Sequence, residues 1–154
     1  MLVDGEAVVW DSSRILRRLE QRFPEPTLYG ADPAARAGAE LFVDWFDRVW
    51  KRAPNEIEAE LGRPRPDADR IEACAEAMRR HLDLFERLLS GRPFLLGDFG
   101  VADCTAFPFL CYAAGRPPGD DELFHRILEE HQPLGEAHPL LGEWIARVDE
   151  LPRA

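Results

Sequence analysis

The stretch from Val101 to Ala114 constrains the fold more than any other, because Asp103 is its only charged residue. After Asp103 the side chains are small, aliphatic or aromatic, and a proline, Pro108, lies among them. A helix that is apolar on all sides must be buried on all sides. The stretch is also shorter than the about 20 apolar residues that a membrane span requires. The pattern therefore predicts a central helix around which amphipathic helices pack.

The start of this central helix carries a capping pattern. Gly100 occupies the N-cap position, and Asp103 lies three residues further on. From that position a carboxylate reaches back to the backbone N–H of the cap residue, which is one half of a capping box. Gly100 supplies no side chain for the other half. We therefore expect Asp103 to be a structural cap and not a catalytic acid.

Charge and cysteine content exclude several classes of protein. The 154 residues carry a formal net charge of −10, which is the wrong sign for a general nucleic-acid-binding protein. The three cysteines show no paired spacing, which favours free thiols in a reducing cytoplasm over a disulfide framework. The four histidines have no metal-ligand spacing with the cysteines, so we expect no metal site. We also expect no signal peptide and no membrane partner.

The first thirty residues indicate a hairpin followed by a helix. Asp4-Gly5 is a turn dipeptide between two short apolar runs, which predicts a β-hairpin. Asp11-Ser12-Ser13 then forms the cap of an amphipathic helix that ends before Pro24. The residues up to Gly30 are predicted to be a linker.

Four longer amphipathic helices are predicted from apolar periodicity and from their caps. The first begins at Asp32-Pro33 and runs to about Trp50, with a wide apolar face. The second follows Asp67 and carries one clean apolar stripe. The last two begin near Asp120 and at His138-Pro139.

Two regions of the chain resemble the glutathione transferase family. Residues 94–103, Phe-Leu-Leu-Gly-Asp-Phe-Gly-Val-Ala-Asp, resemble the core of its C-terminal helical domain, together with the apolar run that follows. The opening resembles the last third of its thioredoxin-like domain, through Leu2-Val3-Asp4-Gly5, Asp11-Ser12 and Phe23-Pro24-Glu25-Pro26. The resemblance implies a mainly α fold. A partial thioredoxin-like ββα remnant in residues 1–29 would precede a helical bundle around a buried central helix in residues 30–154.

The resemblance implies a glutathione site at Asp11 and Ser12. In the family, an acid–serine pair at the start of this helix holds the γ-glutamyl end of glutathione. Free N–H groups at a helix N-terminus and a hydroxyl suit a carboxylate, and an adjacent Asp suits an ammonium group. The alternative interpretation of both residues is ordinary helix capping.

The resemblance also implies elements that have no counterpart in this sequence. In the family, a βαβ unit ahead of the position of Met1 supplies the Tyr, Ser or Cys that activates the thiol, and a cis-proline beside the glutathione backbone. Only a thiolate is a good nucleophile. The catalytic residue therefore stays unknown, and we expect little or no transferase activity from this chain alone. Gly100, where the family usually has Ser or Thr, is a second departure.

The helix from Asp32 to about Trp50 is implied to line the pocket for the electrophile and to lie at a dimer interface. Trp45, Phe46 and Trp50 are the pocket candidates, and the same side chains, where exposed, suit a homodimer. An aromatic face of this kind is more often core. The implied function is conjugation of glutathione to an electrophilic small molecule, once the missing N-terminal part is supplied. The alternative is a non-catalytic protein-interaction module, in which the family's helical half also occurs.

Overall fold

The computed structural model describes residues 1–152, which begin with a small ββα unit. Strands β1 (Leu2–Asp4) and β2 (Ala7–Val9) pair antiparallel. The turn between them contains Gly5 at φ +64°, a left-handed conformation that favours glycine. Helix α1 (Ser12–Arg22) follows, with Asp11 as its N-cap. The predicted hairpin and helix are confirmed.

The rest of the described chain is a helical bundle. Its helices are α2 (Pro33–Trp45), α3 (Arg52–Leu61), α4 (Ala68–Leu88), α5 (Val101–Leu110), α6 (Leu123–His131) and α7 (Pro139–Asp149). A π-helical segment, Phe46–Trp50, joins α2 to α3, and a 3₁₀ turn, Cys111–Ala114, extends α5. The mainly α fold is confirmed. Within residues 1–152, no helix combines the length and apolar character needed to cross a membrane.

The core of the bundle lies against α5. Ala102, Ala106 and Leu110 of this helix are buried in one large apolar cluster. Fully buried large side chains from the surrounding elements belong to the same cluster: Phe46, Trp50, Met78, Phe85, Ile127 and Trp144. Val101 instead belongs to a smaller cluster that Tyr29 of the linker and two residues of α2 complete. The central helix therefore joins the bundle to the linker.

One side of α5 is open, which corrects the prediction of a helix enclosed on all sides. Pro108 is exposed, and Cys104 and Phe107 are only partly buried. These three side chains line a groove whose other wall includes Val148 of α7. Apolar side chains are common at protein surfaces, so an apolar sequence does not require that every side of a helix be covered. The α-helical part also ends at Leu110, earlier than predicted.

Asp103 ties the start of α5 to two other parts of the chain. Its Oδ2 accepts a hydrogen bond from Gly100 N–H at 3.0 Å. Its Oδ1 accepts from Leu95 N–H at 3.1 Å and from Trp144 Nε1 at 2.8 Å. The side chain has no exposed surface, and this burial raises the pKa of the carboxyl although all three donors oppose the shift. The carboxylate therefore caps α5, anchors the preceding loop and holds α7.

The π-helical segment divides the wide apolar face that was predicted for α2. Its wider turn is closed by a bond from Lys51 N–H to the Phe46 carbonyl at 3.0 Å. Phe46 and Trp50 stack with ring centroids 4.5 Å apart, and both are fully buried. Leu41 and Val49, predicted to be part of the same face, are 71% and 48% exposed. The wide apolar face is therefore only partly buried, with Phe46 and Trp50 in the core and Leu41 and Val49 at the surface.

Glu20 fastens α1 to the linker and to α2. Its Oε1 accepts from Thr27 Oγ1 at 2.6 Å and from Arg36 Nη2 at 3.1 Å, and its Oε2 accepts from Leu28 N–H at 2.9 Å. Burial acts to raise the pKa of Glu20, but these hydrogen bonds and the Arg36 charge outweigh it and lower the pKa. The ionised carboxylate therefore stabilises the junction between the ββα unit and the bundle.

The linker also contacts the start of α5 through its backbone. The Leu28 carbonyl accepts a hydrogen bond from Val101 N–H at 2.7 Å. A Cβ atom on Gly100 would lie only 2.7 Å from the Leu28 oxygen, which is closer than real Cβ contacts. The close approach requires glycine at this N-cap position. The Leu28 carbonyl thus accepts from the N–H of Val101, the first residue of α5. A serine or threonine side chain at the N-cap would not bond to this N–H, because it accepts from the second or third N–H of a helix.

We predict that Asp103→Ala lowers the free energy of unfolding by about 3 kcal/mol or more, because three buried donors lose their acceptor. Chemical denaturation at neutral pH measures the change. Asp121→Ala, at an exposed position, is the matched control. A loss for Asp103→Ala no larger than that of the control would contradict the role of the carboxylate.

We predict that Glu20→Gln destabilises the protein at neutral pH and that the difference from wild type shrinks in acid. The folded-state pKa of Glu20 lies below its ordinary value of 4.5. The stabilisation is therefore complete above pH 4.5 and is lost as the pH falls through the lowered pKa. Denaturation curves of both proteins from neutral pH downwards test this. A difference that stays constant, or grows, at acid pH would refute the assignment.

Candidate glutathione-binding site

The predicted site residues Asp11 and Ser12 lie at the exposed N-terminus of α1. Asp11 Oδ1 accepts a hydrogen bond from Arg14 N–H at 3.1 Å, as in an ordinary helix cap. Its backbone, however, has φ +81° and ψ +129°. No other non-glycine residue of residues 1–152 has a positive φ. Strained backbone of this kind costs about 1–3 kcal/mol and concentrates at functional sites.

The exposed end of α1 has the electrostatics of an anion site. The first N–H groups of a helix are unpaired within the helix and carry partial positive charge. The Ser12 side chain is exposed beside them, and Asp11 forms no ion pair within the described chain. This end therefore offers N–H groups and a hydroxyl to a carboxylate, with a carboxylate next to them for an ammonium group.

Ser13, the next residue, faces inward and connects α1 to the π-helical segment. Its Oγ donates to Asp47 Oδ2 at 2.6 Å. Lys51 Nζ donates to Asp47 Oδ1 at 2.6 Å and lies 4.8 Å from the centre of the Phe109 ring. Single turns of π-helix occur frequently at functional sites. The chain Ser13–Asp47–Lys51 fixes the direction in which the end of α1 points.

Asp47 is held in its ionised form by this arrangement. Its partial burial acts to raise the pKa, but the hydrogen bonds from Lys51 and Ser13 outweigh the burial and lower the pKa. The Asp47 and Lys51 charges cancel locally. Asp11 is therefore the carboxylate that remains available to a bound cation at this end of α1.

The three aromatic pocket candidates occupy different environments. Phe46 and Trp50 have no exposed surface, so these two side chains belong to the core, as is usual for an aromatic face of this kind. Trp45 is partly exposed and packs edge-on against His81, with ring centroids 5.4 Å apart. Phe46 and Trp50 belong to the buried core cluster, whereas Trp45 is only partly buried and packs against it. Of the three, Trp45 alone has surface that could meet a ligand.

Sequence reasoning missed Asp47 and Lys51. Their spacing of four residues on a helix is a recognised ion-pair pattern, so the pair itself could have been found. Their connection to Ser13 could not have been found from the sequence, because 34 residues separate Ser13 from Asp47.

Neither a metal cluster nor a disulfide belongs to the site. The described residues contain no group of three or more His, Cys, Asp or Glu side chains placed to hold a metal ion. The three cysteines are free thiols, and burial raises the pKa of Cys104 to about 11. A thiol with such a pKa carries almost no thiolate at neutral pH.

The comparison with known protein families decides the classification. The profile of the glutathione S-transferase C-terminal domain matches residues 68–147, from α4 to near the end of α7. The chain belongs to the glutathione S-transferase family. The matched region includes the central helix α5.

Named relatives fall into more than one functional group. The chain is 36% identical over 107 residues to FtsZ-localized protein A of Caulobacter vibrioides, covering 64% of this chain and 47% of that protein. It is 30% identical over 112 residues to the glutathione S-transferase GstB of Escherichia coli, covering 70% of this chain and 53% of that protein. The chain thus spans about half the length of these curated relatives.

A solved structure of this glutathione S-transferase family extends the likeness to the ββα unit. The theta class glutathione S-transferase from Xanthomonas axonopodis pv. citri, a structure with glutathione bound, aligns with a TM-score of 0.70 at 25% identity. The alignment covers 97% of this chain and 72% of that protein. The likeness therefore includes α1 and its N-terminal end as well as the helical bundle.

We predict unequal stability effects for two adjacent serines. Ser13→Ala should lower the free energy of unfolding by about 1.5–3 kcal/mol, because the charged, partly buried carboxylate of Asp47 loses a hydrogen-bond donor. Ser12→Ala, at an exposed position, should change it by less than about 0.5 kcal/mol. Urea denaturation of both variants gives the comparison. Equal effects at the two positions would rule out the inward role of Ser13.

Proposed function

We propose that this chain is the helical domain, with the glutathione-binding edge, of a glutathione transferase that conjugates glutathione to an electrophilic small molecule. The strained, exposed N-terminus of α1 carries the proposal. There Asp11 and Ser12 stand next to a buried serine that fixes the direction of the helix. In this proposal Ser12 and the helix N–H groups bind the γ-glutamyl carboxylate, and Asp11 binds the ammonium group.

The proposal divides the chain at the linker. Residues 1–29 contribute the glutathione-binding remnant, and residues 30–154 form the helical domain. Trp45 is the aromatic candidate for contact with the electrophile, since Phe46 and Trp50 are enclosed in the core. The activating residue for the thiol would come from an N-terminal βαβ unit, which packs beside β1 in a complete thioredoxin-like domain.

A glutathione titration tests the binding half of the proposal. Chemical-shift changes in a labelled protein should saturate and should centre on the first turn of α1. Ser12→Ala should weaken binding by about tenfold or more, the equivalent of one hydrogen bond to a charged group. Ser90→Ala, at another exposed serine, is the control. Shifts that fail to saturate, or that Ser12→Ala leaves unchanged, would remove the site.

A conjugation assay tests the catalytic half. With glutathione and 1-chloro-2,4-dinitrobenzene, this chain alone should give no turnover above the uncatalysed rate, because no residue is in place to stabilise the thiolate. A chimera in which the N-terminal βαβ unit of a related transferase precedes Met1 should regain turnover. Robust turnover by the chain alone would contradict the proposal, as would an inactive chimera that binds glutathione.

A non-catalytic interaction module is the second candidate, and one observation favours it. Large apolar side chains of the ββα unit are exposed: Met1, Val3, Val8, Trp10 and Phe23. Exposed apolar patches mark interaction sites. The relative named FtsZ-localized protein A matches this chain about as well as the transferases do. Saturable binding of glutathione at the N-terminus of α1 would favour the transferase. A folded chimera that does not bind glutathione would favour the non-catalytic interaction module.

Homodimerisation and a cytoplasmic location complete the proposal. The exposed surface that would face a second copy includes Leu41 of α2, which is 71% exposed, Asp44 of α2 and Arg48 of the π-helical segment. Light scattering across a concentration series distinguishes a dimer from a monomer.

A further inference from the structure

A second cavity, separate from the end of α1, lies where the linker meets α2 and the start of α5. Its volume is about 360 Å³, within the range of small-molecule sites. The linker supplies Leu28 and Tyr29 to its wall, α2 supplies Gly38 and Ala39, and the loop before α5 supplies Leu96 and Phe99. Leu96 and Phe99 are each more than one-third exposed. We call this space the linker cavity.

Gly38 is exposed and lines the linker cavity, and no contact within the described chain requires a glycine there. It lies inside α2, between Pro33 and Trp45, where a glycine costs about 0.5–1 kcal/mol relative to alanine. Its φ is not in the left-handed region, and a Cβ added to it would meet nothing within 4 Å. By contrast, Gly30 and Gly100 are packed so closely that a Cβ would clash. A side chain at position 38 would therefore extend into the open space beside the cavity wall.

One unpaired charge lies on the wall of this cavity. Asp98 lines it, and within residues 1–152 its carboxylate forms no ion pair or side-chain hydrogen bond. Asp103, the other acid in the wall, has its carboxylate occupied by three donors. Most of the remaining wall is apolar, and Phe99 offers an aromatic ring to a cation.

We propose that the linker cavity binds a small organic cation: an apolar, ring-sized body that fills the space beside Gly38, with one ammonium group that pairs with Asp98. The cavity is large enough for the apolar part of the ligand, and the unpaired Asp98 carboxylate favours a positively charged group. The site shares no residue with Asp11, Ser12 or Ser13, so it is independent of the proposed transferase function.

Three probes of one shape test the charge selection. Titrations with 1-naphthylmethylammonium, 1-naphthylmethanol and 1-naphthoate are followed by the amide shifts of a labelled protein. The ammonium probe should bind best and should shift the amides of Gly30, Gly38 and Gly100. Its preference over the alcohol should be about two- to fivefold, as expected for a charge pair at a surface. In Asp98→Asn the ammonium and alcohol probes should bind equally.

Two matched variants test the location. Gly38→Leu should weaken all probes by roughly tenfold or more, since the leucine occupies the volume that the naphthyl ring needs. Ala37→Leu adds the same side chain one residue earlier, at an exposed position that does not line the cavity, and should bind like wild type. Thermal unfolding verifies that both fold. Undiminished binding by Gly38→Leu, best binding of the anionic probe, or shifts that map elsewhere would overturn the proposal.

Discussion

The buried carboxylate of Asp103 is the interaction on which the rest of the structure depends. It accepts hydrogen bonds from the N-cap of α5, from the loop that precedes it and from the indole of α7. A charge without exposed surface is costly, and here the burial raises its pKa. Three donors, each otherwise unsatisfied, offset that cost. One side chain thereby fixes where the central helix starts and how the last helix lies against it.

The linker completes the same junction from the other side. The Leu28 carbonyl takes the place that a cap side chain would occupy, and Gly100 gives it room. Glu20 then ties the linker to α1 through Thr27 and the Leu28 N–H. The ββα unit is small and exposes several large apolar side chains, so these polar contacts contribute much of what orients it. The orientation of α1, and with it the candidate glutathione site, follows from the start of α5.

The two candidate ligand sites near this junction have different origins. At α1, a strained Asp11 and a solvent-facing Ser12 stand above a hydrogen-bonded chain of Ser13, Asp47 and Lys51. That arrangement suits a ligand with both a carboxylate and an ammonium group. The linker cavity is lined by small residues of α2 and by Asp98, whose carboxylate has no ion-pair partner within residues 1–152. The first arrangement is the one that the family resemblance implied, whereas the linker cavity was found only in the geometry of this chain.

The sequence by itself determined the elements whose cause is local. The Asp-Gly turn, the caps at Asp11, Asp32 and Asp67, and the uncharged stretch after Asp103 are signals read within a few residues, and the family motifs added the order of the domains. Tertiary structure decided which sides were covered. Phe46 and Trp50 are buried whereas Leu41 is exposed, and the groove against α7 leaves Pro108 in solvent. The tertiary structure also brings Ser13 into hydrogen-bond contact with Asp47, 34 residues away, and places the Leu28 carbonyl close to Gly100. Such contacts depend on how the helices pack in three dimensions. The periodicity of a sequence shows which side of a helix is apolar, but it does not show which distant residue will contact that side.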